Sequence, residues 1–290
     1  MRTKTIFDNK KIIITIYLCL LGLMIVGSFA DYPISLALYD ESNWFGILFA
    51  AYGEIPATLG MIVAGTFFIS AHNRQKKAIG YLQIIGGGIV ILLGTLMVCF
   101  MPTIYLFNTP HIVIYIIGLV LSILTIIFSL KLVKNSDRKM VIKVGLVFLI
   151  SIMGIMIVVN MIKVPWGRAR MRLVANNPEA YFMPWWQVGG SLKETLIAEG
   201  VAAEEFKSFP SGHVSNATAV LLLSLLPLLN DKLKGKEKTI FGCGVVWIVL
   251  VMISRIIIGA HYLTDDVVAF AVGLAVILIV CKIAFKPKKA

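Results

Sequence analysis

The feature that most constrains this chain is a series of apolar runs, several of about 18 residues or more, each long enough to cross a bilayer as a helix. Backbone inside hydrocarbon must satisfy its own N–H and C=O groups, so spanning segments are helices or closed barrels. The runs fall at about residues 12–30, 44–71, 78–101, 111–130, 140–162, 213–229, 239–258 and 262–281. They predict an all-α, polytopic membrane helix bundle of about eight transmembrane helices. Only 14% of residues are charged and mean hydropathy is +0.90, which excludes an ordinary water-soluble domain. The first run resembles a signal peptide in part, but no cleavage site followed by a soluble domain appears, so it reads as a retained helix.

Between the runs the chain changes character. Residues 31–43 read as a link with three acids, Asp31, Asp40 and Glu41, and no Lys or Arg. Gly53 and Pro56 break the opening of the second run, so part of it can lie along the interface. Residues 163–212 form the one long polar stretch. Two parts follow: an N-terminal set of four spans, 1–139, and a C-terminal set of four, 140–290, which includes the 163–212 loop.

The net charge of +12 invites a nucleic-acid reading, and its distribution rejects it. An even number of spans puts both termini on one side. The termini and the loops on that side hold 20 of the 27 Lys and Arg residues. The other seven, Lys163, Arg168, Arg170, Arg172, Lys193, Lys207 and Arg255, fall on the opposite side. The positive-inside rule makes the termini cytoplasmic, with multi-pass insertion in what is expected to be the plasma membrane, and turns the 163–212 loop outward. Cys19, Cys99, Cys243 and Cys281 are far apart in apolar runs and read as small buried hydrophobes.

Chemistry concentrates at three edges of apolar runs. In residues 254–265 (SRIIIGAHYLTD), His261 and Asp265 are four apart, so on a helix they share a face. A carboxylate there can accept from one imidazole nitrogen and leave the other oriented as a nucleophile or base, although a structural His–Asp contact has the same spacing. In residues 210–213 (PSGH), Pro210 stops the loop and a helix starts near His213. Ser211 adds a hydroxyl, Gly212 lets an anion approach the backbone, and His213 can protonate a leaving oxygen; the bland alternative is a Ser-Gly turn with a polar cap. In residues 163–170 (KVPWGRAR), Lys163 and Arg170 follow the fifth span, and Arg255 sits near the outer end of the seventh. Snorkelling accounts for one such cation and poorly for three. The topology brings these stretches to one membrane face, where a cationic cradle and a placed nucleophile suit phosphoryl transfer.

These stretches resemble the three-part signature of the type-2 phosphatidic acid phosphatase superfamily, which includes the vanadium haloperoxidases. Lys163 and Arg170 match the first part, Pro210 to His213 the second, and Ser254, Arg255, His261 and Asp265 the third. The resemblance covers the last four spans and implies a phosphatase core there. It implies His261 as nucleophile through a phosphohistidine, Asp265 as its orienting partner and His213 as general acid. Lys163, Arg170, Ser211, Gly212 and Arg255 would bind phosphate, with no metal and no cofactor. Met171 stands where the family has Pro, and about eight spans stand where it usually has six.

The implied activity is metal-independent hydrolysis of a lipid phosphate or diphosphate at the extracytoplasmic face, with polyprenyl diphosphate, phosphatidate and phosphatidylglycerol phosphate as candidate substrates. Lipid phosphotransfer and non-enzymatic lipid or anion transport are the alternatives. The partners expected are the lipid substrate and membrane lipid, with no nucleic acid. Around the site, Arg168 and Arg172 can supplement the cradle, and solvated loop charges are the favoured reading. Ser191 and Glu194 have capping-box spacing, and Leu192, Leu196 and Ile197 suit either an interfacial lid or a packed loop. Trp166, Trp185 and Trp186 suit the interface. Glu54 is either a partner for a cation of the site or a water-facing acid.

Overall fold

A computed structural model describes residues 3–286, so Arg2, Lys288 and Lys289 of the basic ends lie outside the described residues. Every regular element described is a helix. The long ones are α1 (Lys10–Leu38), α2 (Trp44–Tyr52) running on to α3 (Ile55–Ser70), α4 (Lys77–Phe100), α5 (His111–Val133) and α6 (Arg138–Trp166). Short α7 (Met171–Asn176) and α8 (Ser191–Ala198) lie in the polar stretch. Then come α9 (Gly212–Ala217), which continues as a 3₁₀ helix over Thr218–Leu228, α10 (Glu237–Ile257) and α11 (Leu263–Ala284). Among the described residues seven helical segments are long and apolar enough to cross a membrane.

The eighth expected span, 213–229, takes another form. Gly212–Leu228 is shorter than the other seven, with six α residues followed by eleven 3₁₀ residues. At about 1.5 Å per α residue and 2.0 Å per 3₁₀ residue it reaches roughly 30 Å, a full hydrocarbon thickness. Along it Ser215, Thr218 and Ser224 each donate to the carbonyl three residues back, at 2.6 to 2.8 Å, which satisfies their hydroxyls inside the bundle. The segment is slim and mostly buried, against α3, α6, α10 and α11.

The link expected at 31–43 is also different. α1 continues through Pro33 to Leu38, and Asp31 is buried within it. An acid beside a proline reads as a loop; here a buried arginine, described below, holds the carboxylate inside the bundle. The break at Gly53 and Glu54 is real. Pro56 stands in the first turn of α3, where its missing N–H breaks no helix bond, and Trp247 Nε1 donates to the Gly53 carbonyl at 3.1 Å. Two of the cysteines expected to be buried, Cys19 and Cys243, lie on the outer surface; Cys99 and Cys281 are inside.

α3 is buried on nearly every side, with Ile62, Ala64 and Phe67 fully enclosed. In lipid no hydrophobic difference drives helices together, so close backbone approach carries the packing. α3 meets α4 at Gly65 and Gly87: a Cβ on either would lie 2.5 or 2.7 Å from the other's carbonyl oxygen. Gly86, one residue away, has open space at the same place. Gly87→Ala should therefore destabilise the bundle by about 1–3 kcal/mol through overpacking. Gly86→Ala should be neutral or stabilising, by up to about 1 kcal/mol. Thermal unfolding of both variants in detergent checks this, and equal effects would remove the close-packing account.

Candidate active site

The third motif takes its spacing from the joint between α10 and α11. α10 ends at Ile257, and Gly259 adopts φ +63°. A Cβ there would meet the Tyr39 ring at 2.6 Å and the Arg172 amide at 2.9 Å, so the turn requires glycine. The chain folds back, and the amides of Ala260 and His261 donate to the Arg255 carbonyl at 3.0 and 3.2 Å. His261 thus lies in the turn above Arg255 and not on the helix itself. α11 starts at Leu263 with Asp265 in its first turn, and Asp265 Oδ2 accepts from the Tyr262 amide at 2.9 Å.

Two backbone bonds, Arg170 N to Glu205 O at 2.9 Å and Ser208 N to Arg168 O at 3.1 Å, pair the first motif with the approach to the second. The Ser211 amide donates to the Asp265 carbonyl at 3.1 Å, which ties the second motif to the third. Lys163 lies inside the last turn of α6, and its Nζ donates to the Lys207 carbonyl at 3.0 Å. A Cβ on Gly212 would stand 3.5 Å from that Nζ, an ordinary contact distance, so Gly212 adjoins the ammonium directly. Ser211 caps α9, with its Oγ 3.4 Å from the Val214 amide.

The structure brings Lys163, Arg170, Gly212, His213, Arg255 and His261 to one cavity of about 590 Å³. Met101, Ile104, Phe107, Met156 and Val159 line its apolar side. Asp265 and Ser211 stand behind the wall, fully buried. Three guanidinium nitrogens are buried without a hydrogen-bond partner: Arg170 Nε, Arg255 Nε and Arg255 Nη1. Buried donors of this kind are uncommon and mark places where a ligand oxygen fits. Among the described residues no group of three or more His, Cys, Asp or Glu side chains could hold a metal ion.

His261 is held by a different acceptor from the one its spacing suggests. Its Nδ1 is 2.6 Å from the Ser208 carbonyl, which accepts the ring proton, and 3.8 Å from Asp265 Oδ2. Nε2 is then the nitrogen available to the cavity. Burial pushes the imidazole pKa well below its ordinary value; Asp265 pulls it up, and Lys163, Arg170 and Arg255 push it further down. These influences favour the uncharged ring. Asp265 spends its oxygens elsewhere, on Ser208 Oγ at 2.5 Å, the Tyr262 amide and Arg168 Nη1.

Arg168 is fully buried, not a solvated loop charge. Its Nη2 donates to Asp31 at 2.8 Å, its Nη1 to Thr264 Oγ1 at 2.9 Å and to Asp265, and its Nε to the Met183 carbonyl at 2.7 Å. The Tyr262 ring covers it at 4.2 Å. Arg172 is half-buried in a two-point pair with Glu205 at 2.8 and 2.5 Å. Ser208, Asp31 and the role of Arg168 were missed from sequence; an acid inside an otherwise apolar run was the available signal for Asp31.

The loop over the site packs on itself. Gly190, not Ser191, caps α8, so the capping box does not form. Leu192 and Leu196 are buried with Ala169, Leu173, Met183 and Phe206, which favours a packed loop over a lid. Trp166 stacks on Phe209 at 4.4 Å and donates to the Trp185 carbonyl at 2.8 Å, while Trp186 is exposed. Glu204 reaches into the cavity mouth, where its carboxylate takes Arg170 Nη2 at 2.9 Å and Lys207 Nζ at 3.0 Å. Burial raises its pKa, but Lys207 and Arg170 outweigh that and hold it below the usual range, so it stays ionised.

The family model of the PAP2 superfamily matches residues 144–289, about half of the chain. Among curated proteins, phosphatidylglycerophosphatase B of Bacillus subtilis (strain 168) is 39% identical over 79 residues, 25% of this chain and 37% of the relative. The match thus spans little more than a third of that relative's length. No solved structure matches the chain.

Glu204 stands where an anion bound to Arg170 would stand. Glu204→Gln should free Arg170 and Lys207 and tighten inorganic phosphate binding about two- to five-fold, the size of an exposed ion pair. Calorimetric titration in detergent reads this, and unchanged affinity would place phosphate elsewhere.

Proposed function

The chain belongs to the PAP2 superfamily, and on that premise we propose that it hydrolyses a lipid phosphate or diphosphate at the extracytoplasmic face of the membrane, through a phosphohistidine on His261. The observation that carries this reading is His261 itself, a buried imidazole with Nδ1 tied to the Ser208 carbonyl and Nε2 left to a cavity of unpaired arginine donors.

The phosphoryl oxygens take Lys163, Arg170 and Arg255, which stabilise the charge that spreads over them in the transition state. These cations supply charge that a metal would otherwise bring. Nε2 of His261 attacks phosphorus, and the bond from phosphorus to the lipid oxygen breaks. That oxygen takes a proton from His213. The imidazolium formed keeps its Nδ1 proton on the Ser208 carbonyl, with the Asp265 carboxylate 3.8 Å away to offset its charge. Water then attacks phosphorus, His213 takes its proton, the bond from Nε2 to phosphorus breaks, and phosphate leaves.

An anionic head and an apolar tail suit a cavity with cations on one wall and Met101, Ile104, Phe107, Met156 and Val159 on another. The relative's name makes phosphatidylglycerol phosphate the first substrate to try, with phosphatidate and polyprenyl diphosphate beside it. The excess of Lys and Arg on the side of the termini supports an outward site. Hydrogen bonds from Ser136 Oγ to the Leu229 carbonyl and from Asn230 to the Leu132 carbonyl join two of those basic loops at the end of the bundle away from the cavity.

Two experiments test this. Purified protein with EDTA should release phosphate from at least one of these lipids, and His261→Ala should lose at least about 100-fold, as expected for a missing nucleophile. With the substrate's own ionisation divided out, the acid limb of kcat/KM should lie below about pH 6.5, because a depressed pKa keeps His261 unprotonated as pH falls. Equal release by both proteins would exclude His261, and transfer to an added alcohol without free phosphate would make the protein a phosphotransferase. For orientation, a single reporter, Glu194→Cys in a background free of other cysteines, should react with an impermeant maleimide in intact cells. Labelling only after permeabilisation would reverse the orientation.

A further inference from the structure

Glu54 lies outside all three motifs and outside the residues that the family model matches. It sits at the break between α2 and α3, and its carboxylate is clamped to α9 at two points. Oε1 is 2.9 Å from His213 Nδ1, and Oε2 accepts from Asn216 Nδ2 at 2.7 Å. Asn216 is three residues after His213 and so on the same helical face. The other ring nitrogen, His213 Nε2, is 3.0 Å from the Ala50 carbonyl, which the end of α2 leaves free.

Both nitrogens of His213 therefore face acceptors. A neutral imidazole can donate to one and must turn a lone pair on the other; the imidazolium donates to both. The remaining charged and titratable neighbours of the ring are Arg255, whose guanidinium lies over the Tyr105 ring at 5.7 Å, and Tyr105, whose ring meets the imidazole edge-on at 5.6 Å. Lys163, Arg170 and His261 line the same cavity. Glu54 is the one carboxylate hydrogen-bonded to this imidazole among the described residues, in a pocket otherwise dominated by cations.

We propose that Glu54 is a positioning residue for His213: it grips Nδ1, offsets the cavity's cations when the ring carries its second proton, and orients the ring so that Nε2–H can pass from the Ala50 carbonyl to the leaving lipid oxygen. This rests on the phosphatase reading and on His213 as the proton donor. The break in the second span has a chemical purpose on this account. It sets the Ala50 carbonyl and the Glu54 carboxylate on two sides of one imidazole.

A positioning role and a merely structural one separate by leaving group. A lipid alkoxide needs a proton as it departs, whereas p-nitrophenolate does not. Wild type, Glu54→Gln, Glu54→Asp and Asn216→Ala would be compared in detergent on a lipid phosphate and on p-nitrophenyl phosphate, with nitrophenolate read in the first turnover. We expect Glu54→Gln to lose on the order of 100-fold in kcat on the lipid with KM little changed, and less than about five-fold on p-nitrophenyl phosphate. Glu54→Asp should recover part of the lipid rate, and Asn216→Ala should show the same split more weakly. Equal losses on both substrates would make the pair structural and overturn the proposal while leaving the phosphatase standing, as would no loss on either. No phosphate release by the wild type from any substrate would overturn the function and this inference together.

Discussion

The arrangement of the site depends on one buried charge. Arg168 is out of contact with solvent, in a chain built to lie in lipid, and it persists because two carboxylates, a hydroxyl and a carbonyl take its protons. Taking one partner away from a buried pair typically costs about 3–5 kcal/mol, since the charge left behind finds no water. The consequence reaches His261. Asp31 of α1 and Asp265 of α11 are drawn to the same guanidinium; Asp265 then takes Ser208 Oγ, and the Ser208 carbonyl takes His261 Nδ1. The imidazole is oriented at the end of this series of contacts, and each contact is shorter than the 3.8 Å between the imidazole and the carboxylate that motif spacing would pair with it.

The arginines near the cavity divide by how fully they are used. Arg168 and Arg172 have carboxylate partners of their own, so an incoming phosphate would gain little from them. Arg255 is as deeply buried, yet two of its nitrogens have no partner. An unpaired buried donor costs about 1–3 kcal/mol, a strain that binding an anion relieves. Glu204 moderates the same surplus at the rim. Its half-exposed carboxylate takes up part of Arg170 while staying in contact with water.

The membrane body and the motif residues were legible in the sequence for separate reasons. Hydrocarbon thickness sets a length that apolar runs display directly, and phosphoryl chemistry selects residue types that stand out among Leu, Ile and Val. What was not legible follows from pairings made only in three dimensions. Asp31 beside Pro33 looks like a loop until Arg168, 137 residues away, comes to meet it. Arg168 looks solvated because its loop is polar, and Ser208 contributes through a backbone carbonyl, which no side-chain pattern reveals. The 213–229 run is legible as a span, but its winding is not: Ser and Thr hydroxyls bond to the carbonyl three residues back in the 3₁₀ stretch and equally in the α-helices α3 and α10.

The first four spans carry no motif, yet they are not a passive frame. α1 brings Asp31 under Asp265 through Arg168, and the break after α2 brings the Ala50 carbonyl and Glu54 to His213. Each of the two histidines thus has a polar support that originates outside the residues carrying the signature. A C-terminal core alone would leave Arg168 with a single carboxylate and His213 without either acceptor. The sequence elements that look least chemical, a proline-bearing helix end and a glycine-proline break, are where the bundle departs from plain spanning helices. One ends in a carboxylate that holds Arg168 behind Asp265, the other in a carboxylate on His213.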